Sequence, residues 1–378
     1  MSAGREPCLL CGASQWSPMP DPGPQSMASD WRVVKEPLAR RACETCGLVR
    51  RWAGRGAGQD LYLSGYGLYA HPPGDPRERA RQQHYADWIA GAVDASPAQV
   101  LDVGCGNGSL LLALASRWPR ARFLGCDPSA DSVAQGAQPG LRLWQGTAAD
   151  LPADAVSDLV VSVNVIEHTH DPLSFLRALR RALGSGGTLV LICPDGGRPG
   201  LELLFADHVY SFAPEHLSIL CARAGLDVVR TQRAPQALGA FQMVVARAAA
   251  TDAVPAAFVA VDAGGRAEYL AAWRDLDHRL LERMAAPAVC FGAGEAAGLL
   301  RGYAPRTWDL VRACTIDGPA SGRFGDLPVV GLDTVGSAET VLVGVRPLDQ
   351  ARLADRLRAR FTAVVTWYDL LPGGDGGW

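Results

Sequence analysis

The 378-residue sequence predicts an α/β chain built around a doubly wound, mainly parallel sheet, preceded by a small cysteine-held ribbon and followed by a second α/β unit. Three observations carry this expectation. Val100 to Leu111 passes from an apolar strand through a glycine turn (Gly104, Gly106, Gly108) into a Leu/Ala-rich helix. Ala288 to Leu300 repeats that order with Gly292, Gly294 and Gly298, and upstream Cys8 and Cys11 are matched by Cys43 and Cys46 in two C-x-x-C pairs. A chain of this length exceeds one ordinary domain. The expected divisions are residues 1–60 for the ribbon, 61–97 for a tyrosine-rich lid and helix, 98–248 for the first sheet and 249–378 for the second.

Composition narrows the class of function. Apolar residues make up 48% of the chain, enough for real cores, while a formal charge of −3 offers no global attraction to nucleic acid or an anionic membrane. There is no apolar run long enough to span a bilayer, and the first residues lack the apolar centre of a signal peptide, so a cytoplasmic protein is expected. Six of the ten cysteines, Cys105, Cys126, Cys193, Cys221, Cys290 and Cys314, stand singly in apolar or turn contexts and read as reduced core residues.

The ribbon follows from the other four. Each C-x-x-C knuckle turns two thiolates onto one point, and Cys8, Cys11, Cys43 and Cys46 together supply the tetrahedral sulfur set of a structural Zn2+ site. Unmetallated buried thiols or a redox pair are the alternatives; a catalytic zinc is disfavoured because four thiolates leave no open position. Tyr62, Tyr66 and Tyr69 come next, either packing a lid or placing a phenol, with Tyr66 the candidate, in a pocket. A charged helix from about Asp75 to Val93 leads into the first sheet.

In that sheet the glycine turn allows close backbone approach to a ligand, and the helix starting near Ser109 aims its free N–H groups at it. A second strand ends in Asp127 at the spacing, about twenty residues, that lets a carboxylate reach ribose hydroxyls. Gly146-Thr147-Ala148-Ala149-Asp150-Leu151-Pro152 follows, then Asp158-Leu159-Val160-Val161 running to Asn164, Glu167 and His168. A helix capped by Asp171-Pro172 and ended by Gly184 then precedes Gly186-Gly187-Thr188-Leu189. This order resembles the class I S-adenosylmethionine (SAM) methyltransferases. The resemblance implies SAM as cofactor and places Asp102, Gly104, Gly106, Asn107, Asp127, Thr147, Ala148 and Asn164 around it.

The three-part layout is similar to that of the deoxysugar C-methyltransferases, which combine a zinc ribbon, a SAM core and a Rossmann-like C-terminal domain. Family members carry an H-E-H element before a tyrosine and a phenylalanine; here Asp207-His208-Val209-Tyr210-Ser211-Phe212 keeps one histidine and has aspartate for glutamate. The resemblance implies a small-molecule acceptor, a nucleotide-linked 4-keto sugar, with His208 as the base that forms an enolate, oriented by Asp207 or Tyr210. His168, beside Glu167 at the end of the fourth strand, is a further catalytic candidate. Competing readings keep methyl transfer but assign an oxygen or nitrogen acceptor on a free metabolite, or an RNA gripped by the ribbon. A non-enzymatic module sensing SAM and a nucleotide is the alternative from a different class.

Overall fold

The computed structural model describes residues 6–52, 76–250, 259–318 and 320–371. Pro, Gly and Asp interrupt the first of these spans every few residues, so its strands are short. They are β1 (Trp16–Pro18), β2 (Ser26–Met27), β3 (Val33–Val34), β4 (Arg40–Cys43) and β5 (Val49–Arg51). Each cysteine pair closes a tight knuckle in which Gly12 donates to the Cys8 carbonyl and Gly47 to the Cys43 carbonyl, both at 2.8 Å.

Helix α1 (Pro76–Ala90) leads into the central sheet. Its chain-order elements are β6 (Gln99–Val103), α2 (Ser109–Ala115), β7 (Arg122–Asp127), α3 (Ala130–Gln135), β8 (Leu141–Gln145), β9 (Ser157–Val163), α4 (Pro172–Arg181) and β10 (Leu183–Pro194). Next, β11 (Tyr210–Ser211) leaves this sheet and pairs with β5 in the ribbon. Helix α5 (Pro214–Arg223), β12 (Leu226–Arg233) and β13 (Phe241–Ala248) then complete the core. The strand order is β12-β13-β10-β9-β6-β7-β8, with β13 antiparallel to both its neighbours and the other pairs parallel. Strand order reverses between β6 and β9, where a doubly wound sheet opens a crevice at its carboxyl end. One expected boundary moves: α4 stops at Arg181 with Ala182 as its cap, and Gly184 already belongs to β10.

The last part contains α6 (Gly264–Leu281), β14 (Ala288–Phe291), α7 (Glu295–Tyr303), α8 (Pro305–Trp308), β15 (Val311–Ile316), β16 (Arg323–Phe324), β17 (Leu327–Gly331), β18 (Thr340–Val343), α9 (Pro347–Arg358) and β19 (Ala363–Val365). Its sheet runs β16-β17-β15-β14-β18-β19, parallel except at β16, and its own reversal lies between β14 and β18. No helix among the described residues is long and apolar enough to cross a membrane.

The ribbon is wedged between the two sheets. Leu10 and Leu48 pack in one core with Leu101, Leu191 and Leu217, whereas Met27 and Leu38 pack in another with Trp273, Tyr303 and Trp367. Arg266 of α6 is buried and donates to the carbonyls of Gly196 at 3.0 Å and Gly47 at 2.7 Å, joining all three parts. Arg40 is only 1% exposed, and its guanidinium donates to the carbonyls of Leu203 (2.5 Å), Phe205 (2.9 Å), His208 (3.2 Å) and Glu202 (3.3 Å). Removing it would orphan buried acceptors and the contact between ribbon and core. Arg40→Met is therefore expected to lower the melting temperature by roughly 5–10 °C, from a loss of about 3–5 kcal/mol. In the same calorimetric scan the exposed Arg352→Met should shift it by no more than about 1 °C.

Candidate active site

The crevice at the end of β6 and β9 opens into a cavity of about 1,110 Å3. Its floor is the glycine turn. Gly104 sits at φ +86°, and a Cβ there would come within 2.2 Å of Val165 Cγ2, so no side chain fits. The turn is tied to β7 by N–H bonds from Gly104 and Cys105 to the Cys126 carbonyl, at 2.8 and 3.0 Å. Asp127 closes the arrangement, one carboxylate oxygen accepting from Gly106 N and the other from Ser129 N, both at 2.9 Å. Each oxygen keeps a further lone pair for a ligand hydroxyl.

Asp102 lies within β6, 2% exposed, and its Oδ1 has no hydrogen-bond partner among the described residues. Burial first, and then the charge of Asp127, push its carboxyl up to about 8. A buried carboxylate without a partner is costly, and a ligand ammonium is the group that would ionise and satisfy it. Asn164 follows β9 in the left-handed region at φ +56°, with its buried Oδ1 also without a partner among the described residues. Asn takes this conformation more readily than most residues, and such positions gather at functional sites. These groups fit the amino-acid and ribose ends of SAM.

Two other cofactor candidates have their side chains committed locally. Asn107 Oδ1 accepts from Ser109 N and Oγ at the start of α2, and Thr147 forms a capping box with Asp150. Both residues and Ala148 line the cavity. Any contact from Thr147 or Asn107 to a ligand is thus best made by backbone groups. Gly106 shapes the turn from behind and is absent from the lining.

Farther along the cavity, past β9, lies a cluster of acid–base groups. Glu167 is 2% exposed, neither carboxylate oxygen has a hydrogen-bond partner among the described residues, and burial raises its carboxyl to about 7. His168 holds Nε2 3.9 Å from Glu167 Oε1 and Nδ1 3.1 Å from the Asp207 carbonyl oxygen. His208 stands edge-on to His168, ring centres 4.8 Å apart.

From the sequence, His208 is expected to be oriented by Asp207 or Tyr210; the carboxylate within ion-pair distance of its Nδ1 is that of Glu202. His208 Nδ1 faces Glu202 Oε2 at 3.7 Å, whereas the Asp207 carboxylate faces His168 Nδ1 at 3.6 Å. The reason is the bend of the segment between β10 and β11. Ser29 of the ribbon donates from N (2.8 Å) and Oγ (2.5 Å) to Asp207 and pulls its carboxylate to the His168 side. Burial opposes ionisation of Asp207, but the charges of His168 and His208 and the Ser29 bonds outweigh it and hold the carboxyl below its usual range. Tyr210 points elsewhere: its ring stacks on Phe212 under the Arg50 guanidinium and does not line the cavity. Tyr66, with the rest of the tyrosine segment, lies outside the described residues.

Several lining residues are not among the site candidates read from the sequence, although Glu295 directly follows the second glycine turn. Glu202 comes from the β10–β11 segment and Trp31 from the ribbon. Glu295 and Arg346 come from the carboxyl ends of β14 and β18, so the second sheet's reversal point opens onto this same cavity. Their place depends on packing of distant segments.

The cysteine cluster sits apart from the cavity. Cys8 Sγ is 3.6 Å from Cys46 Sγ and Cys11 Sγ 3.5 Å from Cys43 Sγ, with all four sulfurs within 4.8 Å of one another. Bonds of about 2.3 Å to a tetrahedral Zn2+ put sulfurs about 3.8 Å apart, so the set fits that ion. His216 of α5 ties this knuckle to the core through Nε2 at 2.9 Å from the Cys46 carbonyl oxygen.

Residues 77–231 match the family model described as a methyltransferase domain. The chain is 34% identical over 117 residues to trans-aconitate 2-methyltransferase of Methylobacterium nodulans, covering 30% of this chain and 45% of that one. It is likewise 34% identical over 107 residues to ajmaline N-methyltransferase of Rauvolfia serpentina, covering 26% and 37%. The chain thus spans about half or less of the length of these curated relatives. A solved methyltransferase of calicheamicin biosynthesis, in its SAH-bound form, superposes with a TM-score of 0.40 at 21% identity over 52% of this chain and 62% of that one.

Asp102 yields a signed prediction. Its carboxyl is held at about 8 against an ordinary 3.8, so the unfolded chain ionises first and the ligand-free protein loses stability as pH rises between these values. Asp102→Asn cannot ionise. In thermal melts without ligand its advantage over the parent should be absent near pH 4, grow toward pH 8 and then level off.

Proposed function

We propose that the protein transfers a methyl group from SAM to a small-molecule acceptor, and that the acceptor is a nucleotide-linked 4-keto deoxysugar methylated at carbon. The observation that carries this reading is the convergence of both sheets' reversal points on one cavity, with the acid–base cluster at its wall. Its volume exceeds what one drug-sized ligand needs. The methyltransferase-domain match and the small-molecule substrates in the relatives' names support the coarser part of the reading.

When bound, SAM supplies an electrophilic methyl on a sulfonium centre. Asp102 would pair with its ammonium and Asp127 with its ribose hydroxyls, while the glycine turn admits it closely. A carbon acceptor must first lose a proton beside its ketone, and the Glu167–His168–His208 cluster is the place to receive it, with His208 the candidate base. Ser29, Asp207 and Glu202 hold the two imidazoles in position. Glu295 and Arg346, from the second sheet, are placed to meet the remainder of the acceptor. The four cysteines, in this reading, hold one structural Zn2+ that keeps the ribbon folded. Cys43→Ser should then cost one equivalent of zinc by elemental analysis and lower the melting temperature.

Thermal stabilisation by SAM, dTDP, UDP and GDP tests the rest, because a ligand at 100 times its Kd adds about 2.7 kcal/mol. Shifts with SAM and with one nucleoside diphosphate are expected. A shift with SAM alone would sink the nucleotide-sugar acceptor and favour a free metabolite; no shift with SAM would sink methyl transfer. His208→Ala should retain the SAM shift. It should also abolish deuterium exchange beside the ketone of the matching 4-keto sugar, read by NMR.

A further inference from the structure

Glu167, His168 and His208 place one donor atom each within 4.8 Å of the others. His168 is braced from behind by a hydrogen bond, and His208 has a carboxylate behind it at ion-pair distance, 3.7 Å, without a hydrogen bond. The Asp207 carbonyl oxygen, 3.1 Å from His168 Nδ1, takes the proton there and leaves the Nε2 lone pair directed toward Glu167. Glu202 faces His208 Nδ1 and is itself anchored by the Ser211 hydroxyl at 2.5 Å, so His208 too can present Nε2. An imidazole whose far nitrogen meets a carboxylate or carbonyl is oriented and made more basic, as in metal-binding histidines. Glu167, buried and with neither oxygen hydrogen-bonded among the described residues, completes the set with a charge that asks for a cation.

We propose that Glu167, His168 and His208 bind a divalent first-row transition-metal ion, of which Zn2+ is the reference case. Two imidazoles and one carboxylate suit such an ion and disfavour Mg2+ or Ca2+. The three side chains leave its cavity side open for substrate or water.

The chemical consequence rests on the methyl-transfer reading. The ion would take the acceptor's ketone oxygen and stabilise negative charge there. With His208 committed as a ligand, a metal-bound hydroxide becomes the base. It removes the proton beside the ketone and becomes water, and the C–H electron pair passes into the enolate. The enolate carbon then bonds to the methyl as the methyl–sulfur bond breaks and its pair returns to sulfur.

The test needs no substrate. The full chain, dialysed so that its cysteine-bound zinc is retained and more weakly held metal is removed, is titrated with Co2+ and followed by absorption. Wild type should take up one equivalent with ligand-field bands and no sulfur charge transfer, separate from any thiolate-bound cobalt. Glu167→Gln and His208→Gln should each weaken that equivalent at least 100-fold, and Glu202→Gln, acting through His208, about 10–100-fold. The thermal shift with SAM shows that the variants are folded. Absence of a sulfur-free cobalt signal in wild type, or its survival in the Glu167→Gln/His208→Gln double variant, would overturn the site. A cobalt signal without a SAM shift would support the site while sinking the methyl-transfer reading.

Discussion

A guanidinium removed from water has to find its acceptors in the protein, and Arg40 finds four main-chain carbonyls on one short segment. That segment carries Glu202, Asp207 and His208, so the grip that docks the ribbon also sets the site's wall. Arg51 adds a bond to the Ala206 carbonyl at 2.7 Å, and Arg51 N donates to Val209 O at 2.9 Å. The cysteine knuckles therefore govern more than their own fold. They hold β4 and β5, which present Arg40 and Arg51, which hold the loop.

The cavity concentrates unfavourable electrostatics on purposeful ground. Asp102 and Glu167 are both buried carboxyls raised by desolvation, one within β6 and one just past β9. Neither improves the ligand-free fold, since apolar residues of similar volume would cost less. Each is intelligible as a group waiting for a positive partner: an ammonium for Asp102, a cation or a substrate proton for Glu167. Asp207 shows the contrasting case, equally buried but supplied with Ser29 and two histidines, and its carboxyl stays low.

The second sheet is bound to the first by more than proximity. Trp273 of α6 contacts Tyr303 and Trp367 in edge-on geometry, and the same core includes Met27 and Leu38 of the ribbon. Arg266 then fixes α6 to Gly47 and Gly196. This packing brings Glu295 and Arg346 to the shared cavity, so the C-terminal unit forms part of its wall.

Local sequence determined the parts whose causes are local. The glycine turn at 104–108, the strand periods, the Asp171-Pro172 helix start and the two cysteine knuckles each follow from backbone freedom or from spacing within a few residues. The structure places them within a residue or two of expectation, apart from the end of α4. The pairing of His208 with Glu202, of His168 with Asp207, and the arrival of Ser29, Trp31, Glu295 and Arg346 at the site were decided only by tertiary structure. Across 202–208, past the single 3-10 turn at Leu201–Leu204, no α-helix or strand period sets side-chain direction. A buried charge there turns toward whichever partner the packing of distant segments supplies, because leaving it unpaired would cost more than the bend.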